Sequence, residues 1–459
     1  MKPLSDTDKL INNSKVIHMI GIGGAGMCPL AEILHSQGHT VTGSDNNPSD
    51  PLNRIISLGI PVTLGHKPEN VHGADLVIHS AAIMKTNPEL QEAERLGIPT
   101  LERSYLLGAV TRRYNNCIGV CGTHGKTTAT SMITQILIES NCDPSAVIGG
   151  KLPKINSYCK IGKSDTLVVE SCEYVDTFLK ETPDVAVLLN VDSDHMEYFK
   201  TMDRLIESFN KFLSMAHTVI VNGDDKNSLK ATKGITSDII TFGLDKSNTY
   251  YADNISLVNG AFPKFDLYKQ GEFLCTVELS VPGEHNILNS LAAAAASINA
   301  GAEIGAVKKA LKDFKGAGRR FEVLYNKNGI TVADDYAHHP TELTVTLSAA
   351  KEMNYNRVIA VFQPFTYSRT AMLLDDFAKS LSIADLCVLS PIMGSREINT
   401  YNIESRHLAE KIEHCVCLNN FDEIVDYLYS NIKQGDLVIS LGCGDIYKAT
   451  KALIKKLEN

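Results

Sequence analysis

A glycine-rich loop between an apolar segment and a helical one carries the residue types that hold a nucleoside triphosphate. In CIGVCGTHGKTTATSMITQIL, a G-x-x-G-K-T pattern runs from Gly122 to Thr127. The amides of such a turn surround phosphates, Lys126 is placed to reach the β and γ oxygens, and the Thr127 hydroxyl can hold magnesium. The usual P-loop has a further glycine where this chain has Val120. The segment therefore predicts a shortened P-loop for ATP, with the contacting residues Gly122, Thr123, His124, Gly125, Lys126, Thr127 and Thr128.

Two residues after the next apolar segments have the types of metal ligands. Glu170 ends DTLVVE, so its carboxylate is expected at the carboxyl edge of a parallel sheet, beside the phosphate loop. His195 follows the next strand, within NVDSDHMEYF. Because magnesium prefers oxygen ligands, spacing alone predicts Glu170 and Thr127 as magnesium ligands and favours a hydrogen-bonding loop role for His195.

A second glycine pattern lies near the N-terminus. Gly21, Gly23 and Gly26 form G-x-G-x-x-G after an apolar segment, and Asp45 follows the next one, as a ribose-binding acid would. The glycines allow backbone amides and a helix N-terminus to approach a diphosphate. The pattern itself leaves three interpretations open: an NAD site, which would make the chain a dehydrogenase, a site for another nucleotide diphosphate such as UDP, or a structural turn.

Composition excludes several classes of partner and location. The 459 residues include 44 basic and 53 acidic side chains with no basic run, so we expect no nucleic-acid partner. The N-terminus, MKPLSDTDKL, is too charged for a signal peptide, and the apolar run from Leu291 to Ala296 is too short to span a bilayer. These features predict a cytoplasmic protein without membrane insertion. The eleven cysteines are scattered, which favours reduced thiols over zinc or disulfides.

Apolar runs rich in valine and isoleucine alternate with longer amphipathic stretches along the chain, which predicts an α/β fold with mostly parallel sheets. Two phosphate-type loops call for two sheets. With boundaries near Leu107 and Lys315, we predict three domains, over residues 1–107, 108–315 and 316–459. Short alternating runs between Asp245 and Gly283 predict a small β-rich insertion in the middle domain.

Nine motifs together identify a resemblance to the Mur ligase family over nearly the whole chain. They are, in the family's order, GIGGAGM, GTHGKTT, VVE, DSDHM, GEHNILN, GAGRRFE, DDYAHHPTE, FQPFTYSRT and GCGDIY. The resemblance implies an N-terminal Rossmann-like domain for a UDP-sugar, a central P-loop ATPase-type domain, and a C-terminal Rossmann-like domain that closes over ATP and the amino acid. It also implies peptidoglycan biosynthesis: ATP-dependent ligation of L-alanine to the lactyl carboxylate of UDP-N-acetylmuramate through an acyl phosphate, giving ADP and phosphate.

The resemblance also implies roles for individual residues. Lys126, His338 and Arg369 would be catalytic, and His195 would help hold a second Mg²⁺ beside the one on Thr127 and Glu170. The remaining ATP contacts would come from Asn286, Asn289, Arg320 and Asp335. Tyr336, His338 and Arg369 would surround the amino acid. The UDP-sugar would lie on Gly21, Gly23, Gly24, Gly26, Asp45 and Ser80.

The match departs from the family at several positions. Phe365 and Thr366 stand where many members have histidine and a basic residue, which leaves the choice among alanine, serine and glycine open. Glu173 keeps one carboxylate of an acidic string seen in many relatives, and Lys211 lies near where some branches carry a carbamylated lysine. The alternatives are a ligase that recycles a whole peptide onto UDP-N-acetylmuramate and a non-catalytic nucleotide-binding switch; the chain would be a monomer or homodimer.

Overall fold

The computed structural model describes residues 2, 4–395 and 397–458, which form three sheets flanked by helices in a three-domain α/β architecture. The first sheet has the order β3-β2-β1-β4-β5, with all neighbouring strands parallel. Its strands are β1 Val16–Ile20, β2 Thr40–Asp45, β3 Val62–Leu64, β4 Leu76–His79 and β5 Thr100–Glu102. The parallel arrangement places the carboxyl ends of β1, β2, β4 and β5 at one edge of this sheet.

The second sheet has ten strands in the order β15-β14-β13-β12-β11-β10-β6-β9-β7-β8. Its central strands are buried on both faces and consist almost wholly of apolar residues, as strands covered by helices on both sides do. The strands are β6 Asn116–Cys121, β7 Ser145–Leu152, β8 Ser157–Lys160, β9 Thr166–Glu170, β10 Val185–Leu188, β11 Thr218–Asn222, β12 Asp238–Gly243, β13 Tyr250–Val258, β14 Phe262–Lys269 and β15 Glu272–Glu278. The predicted β-rich insertion corresponds to β13–β15, which extend one edge of this sheet.

The third sheet has the order β16-β17-β21-β18-β19-β20, in which only the β16–β17 pair is antiparallel. Its strands are β16 Glu322–Lys327, β17 Ile330–Asp335, β18 Arg357–Phe362, β19 Leu386–Leu389, β20 Cys415–Cys417 and β21 Asp436–Leu441. β21 is buried at all six positions because it lies in the middle of the sheet, between β17 and β18.

Helices connect most of the strands, as crossover connections between parallel neighbours require. They are α1 Asp6–Asn13, α2 Cys28–Ser36, α3 Asp50–Ser57, α4 Pro88–Leu96, α5 Arg103–Thr111, α6 Lys126–Glu139, α7 Met196–Phe199, α8 Met202–Leu213, α9 Lys226–Ala231, α10 His285–Asn299, α11 Ile304–Asp313, α12 Pro340–Glu352, α13 Tyr367–Met372, α14 Leu374–Leu381, α15 Ser405–Ala409, α16 Phe421–Asn431 and α17 Tyr447–Glu458. Three 3-10 segments add Pro68–Val71, Pro153–Ile155 and Tyr174–Lys180. Among the described helices, none combines the length and apolar character needed to cross a bilayer.

The chain folds into two compact units. One comprises Met1–Asp253, Leu267–Cys275 and Leu288–Leu311, and the other comprises Asn254–Asp266, Thr276–Ile287 and Lys312–Asn459. The first unit contains the first sheet and β6–β12, the second contains the third sheet, and residues of β13–β15 are divided between them. Leu107, the predicted first boundary, lies inside α5, and both predicted boundaries remain predictions.

Candidate active site

The shortened P-loop is a tight turn between β6 and α6 that is fastened to the segment after β10. Gly122 and Gly125 have φ of +133° and +86°, a region that favours glycine, so the two glycines are required by the path of the backbone. The Asn190 carboxamide accepts from the His124 N–H at 2.9 Å and donates to the His124 carbonyl at 3.0 Å. The side chain of Asn190 therefore fixes the backbone of the loop at His124. A side chain at Gly125 would also collide with Asn289, because an added Cβ would lie 2.4 Å from its Oδ1.

Lys126, the predicted phosphate-binding lysine, is 15 % exposed and is held by its own loop and by one carboxylate. Its ammonium donates to the carbonyls of Gly122 and Thr123 at 2.5 and 3.0 Å, and it lies 3.0 Å from Glu173 Oε2. Burial alone would lower the pKa of Lys126, but the charges of Glu173 and neighbouring groups outweigh burial and hold the pKa above its ordinary value. The lysine is therefore a permanent cation at the phosphate loop.

Thr127 and Glu170, the two predicted magnesium ligands, lie in direct contact. The Thr127 hydroxyl donates to Glu170 Oε1 at 2.9 Å, and the Gly149 amide donates to Glu170 Oε2 at 2.8 Å. An added Cβ at Gly149 would lie 2.5 Å from the same carboxylate, so glycine is required for the close approach. A hydroxyl and a carboxylate at the carboxyl edge of the sheet form an oxygen donor set that fits Mg²⁺.

His195 precedes α7 with a left-handed backbone, at φ +57°. Its ring lies 4.7 Å from the Tyr174 ring, and its Nδ1 and Nε2 lie 3.6 and 3.7 Å from carboxylate oxygens of Glu197 and Asp194. Nδ1 is buried and has no hydrogen-bond partner within the described residues. An imidazole nitrogen in that state is available to a cation, although the contacts of His195 are with these neighbours rather than with Glu170.

The first glycine loop also brings together the residues predicted for it. The amides of Gly21 and Ile22 donate to the Ser44 carbonyl at 2.8 and 3.1 Å, and the Gly23 amide donates to Asp45 Oδ2 at 2.9 Å. Ser80 is adjacent, since a Cβ added at Gly21 would lie 3.4 Å from the Cβ of Ser80. Gly24 closes the turn by donating to the Gly21 carbonyl at 3.2 Å.

In the third sheet, Asp335 ends β17 and accepts two backbone hydrogen bonds. The amides of Phe321 and Ala337 donate to its two oxygens, each at 2.7 Å. Burial raises the pKa of Asp335 to about 6, against the opposing charge of Arg320 and these hydrogen bonds. The Arg320 guanidinium lies 5.0 Å from the centre of the Tyr336 ring. Two residues predicted to engage ATP therefore lie close together.

Tyr336 and His338 form a second predicted group, beside Arg319. The two rings meet edge to face at 5.6 Å, and His338 Nδ1 lies 3.2 Å from Glu342 Oε2. Burial raises the pKa of Tyr336 to about 12, so its hydroxyl stays protonated. The Arg319 guanidinium lies 5.0 and 4.7 Å from the centres of the Tyr336 and Tyr447 rings and donates to Asp334 at 2.8 Å. Arg319 thus ties the loop after β21 to the end of β17.

Arg369, predicted to grip a carboxylate, is the third residue of α13. The helix begins after Thr366, whose φ is +66° and whose hydroxyl accepts from the Arg369 amide at 3.4 Å. Phe365 pairs with Met393 in an isolated parallel bridge. Burial raises the pKa of Cys443 to about 12, and the nearby Arg369 charge opposes that rise. Arg369 and Cys443 are therefore near neighbours at the carboxyl edge of the third sheet.

Asn286 and Asn289, predicted to contact adenine, are both 6 % exposed on the first turns of α10. Asn286 donates to the Pro282 carbonyl at 2.7 Å, which fixes the start of the helix. His285 beside it is buried, and burial lowers its pKa to about 4, so it is neutral.

Sequence reasoning missed several polar residues of these sites. Glu173 was named as a retained carboxylate, and Arg319 and Glu342 lie within the motifs GAGRRFE and DDYAHHPTE, but their contacts with Lys126, Tyr336 and His338 were not predicted. Glu89 on α4 is fully buried against the first sheet, where the Ser44 hydroxyl of β2 donates to it at 2.6 Å. Arg103, the first residue of α5, was given no role. For Arg319 and Glu342 the signal was their place in the quoted motifs, whereas Glu89 and Arg103 lie outside those motifs.

Comparison with known proteins gives matches over nearly the whole chain. Family models match at residues 16–115 (Mur ligase family, catalytic domain), 120–297 (Mur ligase middle domain) and 319–444 (Mur ligase, glutamate ligase domain). The chain is 42% identical over 449 residues to the UDP-N-acetylmuramate--L-alanine ligase of Caldanaerobacter subterraneus subsp. tengcongensis, covering 96% of this chain and 98% of the relative. It is 43% identical over 463 residues to the same-named protein of Acetivibrio thermocellus, covering 99% and 98%.

Two solved structures are similar over the same extent. The UDP-N-acetylmuramate-alanine ligase of Thermotoga maritima superposes with a TM-score of 0.84 at 28% identity, covering 97% of this chain and 99% of that one. A murein peptide ligase from Psychrobacter arcticus superposes with a TM-score of 0.77 at 25% identity and the same coverage.

Proposed function

Because this chain belongs to the Mur ligase family, we propose that it joins L-alanine to the lactyl carboxylate of UDP-N-acetylmuramate at the expense of ATP, in peptidoglycan synthesis. The observation that carries the proposal is the phosphate loop, where a paired Lys126 and the contacting side chains of Thr127 and Glu170 lie together. The proposed substrates are those in the name shared by the two relatives at 42% and 43% identity.

The first step activates the carboxylate, since an unactivated carboxylate is a poor acyl donor. One lactyl oxygen attacks the γ-phosphorus in line, the bond to the β-phosphate oxygen breaks, and ADP leaves from an acyl phosphate. Lys126 leaves the carbonyls of its own loop and Glu173 to neutralise the transferring phosphoryl oxygens. Thr127 and Glu170 would hold one Mg²⁺ and His195 would help hold a second, and the ions would supply further neutralisation of phosphate charge.

In the second step the alanine amine attacks the acyl carbon, and phosphate leaves from the tetrahedral intermediate. The amine must lose a proton, and we assign its acceptance to His338, which is 18 % exposed and oriented by Glu342. Arg369 binds the alanine carboxylate through its planar guanidinium. If His338→Ala formed the amide at the wild-type single-turnover rate with saturating alanine, the assignment to His338 would be wrong.

The remaining residues form the nucleotide sites. Asn286, Asn289, Arg320 and Asp335 contact ATP, and the first glycine loop with Asp45 and Ser80 binds the UDP moiety. Two of the three substrates, ATP and UDP-N-acetylmuramate, are nucleotides of the cytoplasm, and we propose that location for the enzyme. Whether the enzyme is a monomer or a homodimer is measured directly by light scattering coupled to size exclusion.

The experiment that tests the proposal is phosphate release from ATP and Mg²⁺ with UDP-N-acetylmuramate and one amine donor at a time. We expect release that requires both the sugar nucleotide and free L-alanine, and loss of release in Lys126→Ala. Lys246→Ala is the control, because Lys246 is 66 % exposed and pairs with Asp253 at the surface. Phosphate release with serine or glycine instead of alanine would identify a different amino-acid substrate. If no amine donor caused phosphate release, the proposed ligation would be refuted.

A second candidate function is attachment of a whole peptide to the same sugar nucleotide. The similarity to the murein peptide ligase structure, at a TM-score of 0.77, favours testing it. A tripeptide donor in the same assay separates the two functions: release with the tripeptide and not with alanine would select the peptide ligase.

A further inference from the structure

Arg103 lies beside the first glycine loop. A Cβ added at Gly26 would lie 3.4 Å from Arg103 Nη1 and 3.5 Å from its Cζ, so the guanidinium is in contact distance of the loop backbone. Gly26 comes two residues before α2, whose N-terminal amides favour negative charge. The guanidinium therefore lies beside the end of the loop from which α2 begins.

No carboxylate is paired with the Arg103 guanidinium among the described residues. Within the described part of the chain, Arg103 makes no hydrogen bond or ion pair. The Arg103 charge acts on the carboxyl group of Glu181, which accepts from the Ser171 hydroxyl at 2.5 Å. Burial raises the pKa of Glu181 to about 8, against this hydrogen bond and the Arg103 charge, so the acid is protonated at neutral pH and leaves the arginine unneutralised. A partly buried arginine without an anion indicates that an anionic ligand completes the site.

The backbone that presents Arg103 is fixed. The preceding residue, Glu102, caps α5 by accepting from the Ser104 amide at 3.0 Å, which determines that the helix begins at Arg103. Glu102 Oε1 is buried without a hydrogen-bond partner in the described structure. Farther along α5, Gly108 packs against the Lys180 carbonyl so closely that an added Cβ would lie 2.2 Å from its oxygen.

We propose that Arg103 binds the diphosphate of the nucleotide sugar on the first glycine loop. The inference rests on the proposed function and adds a residue that the family motifs quoted above do not include. A guanidinium makes two parallel hydrogen bonds to phosphate oxygens, and the neighbouring Gly26 leaves the space in which those oxygens approach the backbone.

The test measures binding of UDP, UDP-N-acetylglucosamine and UDP-N-acetylmuramate by calorimetry to wild type, Arg103→Gln and Arg103→Lys. We expect all three ligands to bind Arg103→Gln roughly 10- to 100-fold more weakly, the loss typical of a hydrogen bond to a charged group, and Arg103→Lys to recover part of it. In turnover, KM for UDP-N-acetylmuramate should rise by the same factor while KM for ATP is unchanged. The control is Arg95→Gln, whose guanidinium is 66 % exposed on α4 and pairs with Glu92.

Unchanged binding of UDP to Arg103→Gln would overturn the inference. Weaker binding of UDP-N-acetylmuramate alone would also overturn it, because the anion would then be the lactyl carboxylate. ATP binding by Arg103→Lys is measured as a check of the fold, because a variant that binds ATP with wild-type affinity is folded. Failure of the proposed function is separate: wild type would then release no phosphate with any donor, whereas the calorimetric comparison of UDP between variants could still be made.

Discussion

Replacing Glu173 by glutamine removes the counter-charge of Lys126 and keeps the shape of the side chain. Glu173 is 1 % exposed, and its two oxygens lie 3.1 and 3.0 Å from the Lys126 ammonium. Breaking a buried ion pair from one side leaves the other charge uncompensated, at a cost of about 3–5 kcal/mol. Lys126 keeps its hydrogen bonds to Gly122 and Thr123, so we expect the lower end, about 3 kcal/mol.

That loss corresponds to a fall in Tm of roughly 6–12 °C for a region of this size. Bound nucleotide should reverse much of it, because the phosphates supply the negative charge that Glu173 no longer provides. ADP should therefore raise the Tm of Glu173→Gln by several degrees more than it raises the Tm of wild type. Differential scanning fluorimetry with and without ADP measures both quantities.

The matched control is Glu139→Gln at the end of α6. Glu139 is 21 % exposed and pairs with Lys154 and Lys309 at the surface, where ion pairs contribute little. We expect its Tm to stay near that of wild type with the ordinary ADP response. The reasoning that Glu173 and phosphate compete for Lys126 would be refuted if Glu173→Gln melted within 2 °C of wild type. It would also be refuted if ADP raised the Tm of Glu173→Gln and of wild type equally.

Three further perturbations test other parts of the structure. Because burial raises the pKa of Glu181 from 4.5 to about 8, the folded state binds a proton that the unfolded chain releases. From pH 4.5 to 8, the free energy of unfolding of wild type should thus fall by about 1.4 kcal/mol per pH unit relative to that of Glu181→Gln. Above pH 8 the difference between the two proteins should stay constant. Urea titrations at several pH values measure both. Glu170→Gln should raise the Mg²⁺ concentration for half-maximal phosphate release at least roughly tenfold, without changing UDP binding. Loss of a residue that only supports a metal ligand already lowers metal affinity by about that factor. Phe365→His should lower KM for L-alanine about fivefold by adding one hydrogen bond, with KM for ATP unchanged as the check.

The sheets and their loops were predictable because each depends on local pattern. Apolar runs of four to six residues predicted the buried parallel strands, and the rule that strand ends meet at one edge predicted that Glu170 would lie by the phosphate loop. The hydrogen bond from Thr127 to Glu170, at 2.9 Å, confirms that they are neighbours. The roles assigned to both residues remain predictions.

The partners of the site residues were not predictable, since they depend on how distant segments pack. Glu173 reaches Lys126 because the 3-10 segment after it turns through left-handed conformations at Val175 and Asp176, which no periodic pattern signals. Arg319 is held between two tyrosines that are separated by more than a hundred residues in the chain. For His195, spacing favoured a hydrogen-bonding loop residue, and its Nδ1 makes no hydrogen bond within the described residues.

The contact between Gly108 and the Lys180 carbonyl restricts how this sequence can vary. Since an added Cβ would lie 2.2 Å from that oxygen, even alanine must push α5 away from its neighbour. The displacement would be transmitted along one rigid helix to Arg103, five residues earlier. Position 108 is therefore expected to reject every substitution in a saturation library selected for activity, while the exposed Tyr105 on the same helix tolerates many. The identity of residue 108 would then be constrained by binding of a ligand that residue 108 does not contact.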